Sequence, residues 1–134
     1  MSVFTTVTPE QLSQWLRRYS VGELLDMRGI AAGIENTNYF VTASQGCYVL
    51  TLFERLPEAD LPFYLALMSH LALHRVPCPA PVPDCNKALH GRLNGKPAAL
   101  VTRLSGAPVL APAEHHCSII GATLADMHLA ARSF

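Results

Sequence analysis

The chain has 134 residues, the length of one domain at the usual ~100–200 residues. Half of the residues are hydrophobic and 15% are charged, so a core can be buried and the charge-rich profile of disorder is excluded. Ten basic residues balance ten acidic ones, which leaves no net field to favour nucleic acid or an anionic membrane, and both are set aside as partners.

The first element is a short helix. Thr8 is placed to cap it, Pro9 suits its first position, and Gln11 stands where a capping box needs it. Leu12, Trp15, Leu16 and Tyr19 then recur at helical spacing, so one face docks. Three strands follow by their β-rich patterning, at residues 27–32, 38–43 and 46–53, with Ser44-Gln45-Gly46 as the tight turn. Pro57 stops the third strand, and residues 58–75 read as a helix with a wide apolar stripe formed by Leu61, Leu65, Met68 and Ala72 beside Tyr64, Leu67 and Leu71. Alternating prolines between Val76 and Pro83 exclude a helix or a central strand and make a stiff extended connector. Residues 89–93 and 97–104 form a hairpin around Asn94-Gly95, and a last helix runs from Pro112 to about Arg132 with Ile120, Leu124, Met127 and Ala131 on one side. Strands and helices do not alternate as βαβ units, so the fold class is α+β with an antiparallel sheet of about five strands.

The four cysteines, Cys47, Cys78, Cys85 and Cys117, form no CxxC pair, and reduced thiols in a cytoplasm are the simplest expectation. The first residues lack the basic start and apolar run of a signal peptide. The most apolar stretch, residues 61–73, is interrupted by Pro62, Ser69 and His70 and falls short of the ~20 residues that span a bilayer. The last helix reaches Ser133-Phe134 without a closing segment, so the chain reads as cut short, with its final helix in need of a cover. That helix is expected to pack on a second copy of the chain or to fold back on its own sheet, and self-association is favoured because residues 105–111 are a short tether.

The stretch from Gly29 to Val41, with Gly33-Ile34-Glu35-Asn36-Thr37-Asn38 at its centre, is the most informative. Between two strands, a glycine and small polar residues can aim backbone N–H groups at an anion and hold phosphate oxygens. An ordinary hairpin loop uses the same residue types, so local chemistry leaves both readings open.

A set of segments carries a resemblance. Gly33 to Val41 followed by Tyr48-Val49-Leu50-Thr51-Leu52-Phe53-Glu54 resembles the start of bacterial homoserine kinases of the aminoglycoside-phosphotransferase-like type. In the same order, Leu61-Pro62-Phe63-Tyr64, the proline-rich link from Val76 to Val82, Ala98 to Gly106, and Gly121-Ala122-Thr123-Leu124-Ala125-Asp126-Met127-His128 are similar to later pieces of that family. The resemblance implies a protein-kinase-like N-terminal lobe over residues 1–106, with a hinge and the first helix of a larger, truncated lobe over residues 107–134. It implies a phosphate-covering loop formed by Gly33, Glu35, Asn36, Thr37 and Asn38. By the same resemblance Thr51 stands at the phosphate-lysine position, Val101 and Arg103 lie along the adenine pocket, and the cofactors are ATP and Mg2+. The implied reaction is ATP-dependent phosphorylation of L-homoserine towards threonine.

Two departures shape the expectation. In protein kinases the third strand carries a lysine as V-A-I-K, whereas Tyr48-Val49-Leu50-Thr51 places a threonine there, as members of the resembled family also do. The two lysines, Lys87 and Lys96, sit near the later hairpin, so Arg28, Arg55 or a metal ion would have to balance phosphate charge. The family's His-Gly-Asp catalytic loop is also missing. His90-Gly91-Arg92 is a near miss whose arginine cannot accept a proton. No catalytic residue and no metal ligand is therefore assigned in this chain, which is expected to be inactive by itself. The alternatives are another small-molecule kinase of the superfamily, acting on an aminoglycoside, choline or a sugar-like alcohol, and a non-catalytic truncated lobe that only binds nucleotide or protein.

The histidines offer less. His70 and His74 lie four apart on a helix and could share a metal, but no third ligand follows at recognisable spacing, so two ordinary surface histidines are the simpler reading.

Overall fold

A computed structural model describes residues 3–134. The order is α1 (Pro9–Leu16), β1 (Leu24–Gly29), β2 (Thr37–Ala43), β3 (Gly46–Leu52), a 3-10 turn (Glu58–Asp60), α2 (Leu61–Leu73), β4 (Gly91–Leu93), β5 (Lys96–Thr102) and α3 (Glu114–Ala131). The five strands form one antiparallel sheet in the order β1-β2-β3-β5-β4. This is the expected α+β lobe with a sheet of five strands.

The first helix forms as its sequence requires. Thr8 accepts from the Gln11 N–H, and the Gln11 side chain accepts from the Thr8 N–H. Leu12, Trp15 and Leu16 then face inward, and with Tyr19 and Val21 they pack on Tyr39, Val41, Ala43, Leu50, Leu52, Ala98 and Leu100 of the sheet. Each fully buried leucine in that layer contributes roughly 1.5–3 kcal/mol. The segment before α1 is tied down as well. Tyr39 Oη accepts from the Val7 N–H at 3.1 Å and donates to the Thr5 carbonyl.

Three boundaries differ from the sequence expectation. β1 lies at Leu24–Gly29 rather than 27–32, because a bulge between Leu24 and Asp26 brings both Leu24 and Met27 onto the core side. Strict alternation cannot register two inward residues three apart. Residues 58–75 divide into the 3-10 turn and α2, and only Leu61, Leu65 and Leu71 of its stripe are buried, while Tyr64 is half exposed. The hairpin is shorter than expected, and Asn94 (φ 49°) and Gly95 (φ 78°) form its two-residue turn with both residues in the left-handed region.

The proline connector is extended, and it also extends the sheet. Pro81 bridges Val101, the Val82 N–H donates to the Leu100 carbonyl, and the Thr102 N–H donates to the Ala80 carbonyl. The N–H groups left between its prolines serve one edge of β5, as an edge position allows. β5 is therefore flanked along its whole length, and Pro97 to Val101 are buried without a break.

The last helix does not fold back on the sheet. It starts at Glu114, after Pro112, and meets α2 only at its far end. There His70 Nε2 lies 2.9 Å from the Ala130 carbonyl, and Phe134 packs edge-on to Phe63. Ile120, Leu124 and Met127 are exposed, and Ala130 alone of the helix is buried. The four cysteines are free, and no described helix is long and apolar enough to cross a membrane.

Candidate functional site

One face of the sheet is closed by α1. On the other face, α2 covers only the β5 end, where Leu61 and Leu65 pack against Ala99. The rest of that second face is left open. Its side chains follow from register: Asn38, Phe40 and Thr42 alternate with the inward Thr37, Tyr39, Val41 and Ala43. Two rungs cross the open face, Arg28–Phe40–Val49–Val101 and Asn38–Thr51–Ala99.

The loop between β1 and β2 covers residues 30–36 and is not helical. Strand pairing continues to its edge, with the Ile30 N–H donating to the Asn38 carbonyl at 2.9 Å. Gly33 has φ 148°, a conformation that favours glycine, and Gly33 and Glu35 are exposed at the loop's crest. Asn36 is half-buried at its base. A hydrogen-bond chain fixes that base: Thr51 Oγ1 donates to Asn38 Oδ1 at 2.8 Å, and Asn38 Nδ2 donates to the Asn36 carbonyl at 3.3 Å. Thr51 thus couples β3 to the loop through the amide of Asn38.

Thr37 is placed differently from its loop neighbours. It begins β2, is fully buried and faces the core side. Its hydroxyl accepts from the Phe4 and Thr5 N–H groups at 2.9 and 3.0 Å and donates to Glu54 Oε1 at 2.7 Å. That hydroxyl is committed to anchoring the segment before α1 and does not share the open face with Asn38. Residue alternation along β2 carries the distinction.

The lysines are also accounted for. Lys96 Nζ lies 3.0 Å from Glu54 Oε2, so a Lys–Glu pair exists, but it belongs to the Thr37 network on the core side. Burial pushes the Glu54 carboxyl up, and hydrogen bonds from Thr5, Thr37 and Lys96 with the Lys96 charge outweigh it, holding the group below the usual carboxylate range. Lys87 sits in the turn after Asp84. Neither lysine stands on the open face.

Val101 is a buried member of the open-face rung, and Arg103 follows it at the end of β5. Arg103, Leu104, Ser105, Gly106 and Cys47 line a shallow pocket of about 280 Å³ beside that face. A larger recess of about 580 Å³ lies along α1 and is walled by Pro9, Glu10, Ser13, Gln14, Arg17 and Leu24, away from both rungs. Sequence reasoning passed over Phe40. Its two-residue spacing from Asn38 was the available signal, since it puts both on one face. The Arg103 guanidinium lies 4.1 Å from the Phe40 ring centre and that of Arg28 lies 5.6 Å from it. Arg55 is exposed beyond the end of β3. His70 and His74 stack with ring centres 4.2 Å apart, and His70 is spent on docking α3.

Comparison with known proteins agrees with this architecture. The chain is 57% identical, over all of its 134 residues, to homoserine kinases of Paraburkholderia xenovorans and Paraburkholderia phymatum, covering 40% and 42% of their lengths. It is 56% identical over the same span to a homoserine kinase of Burkholderia vietnamiensis, again covering 40% of that protein. The chain thus spans about two fifths of the curated relatives it matches. Among solved structures, a spectinomycin phosphotransferase in complex with ADP and spectinomycin superposes with a TM-score of 0.60 at 14% identity, over 81% of this chain and 31% of that one, which speaks for the fold. The sequence profile of the phosphotransferase enzyme family matches residues 26–134, so this chain, a homologue of homoserine kinases, belongs to that family.

Proposed function

We propose that the chain is the ATP-binding part of a cytoplasmic homoserine kinase, which moves the γ-phosphoryl group of ATP to the hydroxyl of L-homoserine and releases ADP and O-phospho-L-homoserine. The observation that carries this reading is the 57% identity to homoserine kinases along the entire chain. Residues 1–106 form the nucleotide lobe, and 107–134 the hinge and first helix of a second lobe. Gly33, Glu35 and Asn36 lie over the phosphates through their backbone, with Asn38 and Thr51 offering polar side chains beneath. Val101 lines the base pocket and Arg103 its mouth, while Thr37 holds the loop's end from the core side. The open face suits such a ligand: it has an apolar floor of Val49 and Val101, one aromatic ring and a polar rung next to a glycine loop. Mg2+ accompanies ATP in this reaction class. Among the described residues no three His, Cys, Asp or Glu side chains gather, and no ligand to it is assigned here.

The test has two arms. Calorimetric titration of the chain with ATP is expected to show binding that Asn38→Ala and Thr51→Ala each weaken severalfold, and absence of binding would overturn the nucleotide reading. A coupled assay with ATP, Mg2+ and L-homoserine is expected to show no turnover by the 134 residues alone, because the sequence holds no His-Gly-Asp loop to orient the acceptor hydroxyl. Turnover abolished by a substitution within the chain would overturn that second statement.

A further inference from the structure

The end of the sheet from which the Gly33 loop departs carries a carboxylate on its core side. Glu54 follows β3, and its side chain is only 10% exposed. Its hydrogen-bond donors come from three separate stretches of chain: Thr5 before α1, Thr37 at the start of β2, and Lys96 at the start of β5. The Thr37 hydroxyl is saturated in this arrangement. It accepts from the Phe4 and Thr5 N–H groups, and its one proton goes to Glu54 Oε1 at 2.7 Å. Glu54 must therefore accept there, and Lys96 Nζ at 3.0 Å from Oε2 asks the same of its other oxygen.

Such a cluster is a costly way to hold a fold. Ion pairs withdrawn from water contribute little net stability, and an apolar cluster of the same volume often does as well. What directed bonds add is a fixed position for Thr37. Asn36 and Asn38 flank that residue, and on the open face Thr51 donates to Asn38, which in turn donates to the Asn36 carbonyl. Adjacent strand residues send their side chains to opposite faces of one backbone. A strand that rolls at Thr37 therefore carries Asn38 and the loop's end with it.

We propose that Glu54, held by Lys96 and acting through the Thr37 hydroxyl, is a positioning residue for the loop that covers a nucleotide's phosphates. The assignment rests on the nucleotide reading above, and it gives Glu54 no contact with the ligand. Its effect is confined to the phosphate side of the nucleotide. The base floor of Val49 and Val101 belongs to the neighbouring rung, farther from the loop.

The test compares ADP with adenosine on the 134-residue chain, in EDTA so that protein groups alone meet the phosphates. The intact chain is expected to bind ADP more tightly than adenosine. Glu54→Gln keeps the size of the side chain but sets an amide NH2 against Lys96 or Thr37, which are both donors to it. It should cost about tenfold in ADP affinity and leave adenosine affinity within about twofold. Thr37→Val should lose as much, whereas Thr37→Ser, which keeps the hydroxyl, should stay within about twofold of the intact chain for both ligands. The double variant of Glu54→Gln and Thr37→Val should lose no more than either alone, because both break one contact. Adenosine binding checks that each variant is folded, and the two Thr37 variants carry the comparison if Glu54→Gln does not fold. ADP binding unchanged in Glu54→Gln and Thr37→Val would overturn the assignment and leave the nucleotide reading standing, since the cluster would then serve the fold alone. Equal losses for ADP and adenosine, or losses that add in the double variant, would also overturn it. If the intact chain binds neither ligand, the nucleotide reading fails and the assignment fails with it.

Discussion

Replacing Thr37 by valine removes one hydroxyl and almost no volume, so it isolates the network behind the loop. Three partners lose a contact: the Phe4 and Thr5 N–H groups lose their acceptor, and Glu54 loses a donor at 2.7 Å. A buried polar group left unpaired costs about 1–3 kcal/mol. The two amides are only part-buried and recover some of this from water, so a total of about 3 kcal/mol is expected. For a domain of this size that lowers the melting temperature by about 10 °C. The deficit should depend on pH. Glu54 is held below its unfolded value of about 4.3, so its stabilising contribution is complete above that pH and is lost as pH falls through the folded value. Thr37→Val should therefore cost most at pH 7 and less at an acidic pH below the folded value of Glu54, where that carboxyl is protonated in both proteins and only the amide losses remain. Urea unfolding of both proteins at the two pH values measures this. A deficit under about 1 kcal/mol at pH 7, or one equal at the two pH values, would refute the reasoning.

Other substitutions read different parts of the structure. Gly33→Ala should cost about 1–3 kcal/mol, because φ 148° is strained for any side chain; a melt in which Gly33→Ala matches the unaltered chain would contradict this backbone geometry. Asp84 accepts from the Asn86 and Ala88 N–H groups at 2.8 and 2.9 Å and from Arg18 at 2.8 Å, so Asp84→Ala should accelerate hydrogen exchange at Asn86 and Ala88 while leaving the β2–β3 amides protected. His70→Ala removes the contact to the Ala130 carbonyl and should raise exchange near the end of α3 without altering that of the sheet. Ile120, Leu124 and Met127 on α3 are exposed, and covering such side chains is worth roughly 1.5–3 kcal/mol each. The 134-residue chain should accordingly self-associate at micromolar concentration, and Ile120→Asp with Leu124→Asp should sediment as a monomer; a monomeric parent chain would end that expectation.

Local chemistry determined much of this protein. The capping box at Thr8 and Gln11, the Asn94-Gly95 turn and the prolines of the connector each act within a few residues. Periodicity found the strands and α2, and residue order together with the family resemblance indicated the loop at Gly33 and the threonine in place of lysine. Tertiary structure decided what depends on which face a residue presents and what covers it. The bulge in β1 moved a strand by three residues, since Leu24 and Met27 both find cover beneath α1. Thr37 and Asn38 are adjacent and look alike as polar loop residues, yet one faces the core and the other the open face, because side chains alternate across a strand. Lys96 was assigned to the hairpin, and only the pairing of β3 with β5 brought it to Glu54. The gathering of Arg28 and Arg103 on Phe40 joins β1, β2 and the end of β5, segments up to 75 residues apart in the chain. Such a meeting depends on strand order and register, which arise from the packing of the whole sheet and are absent from any local stretch of sequence.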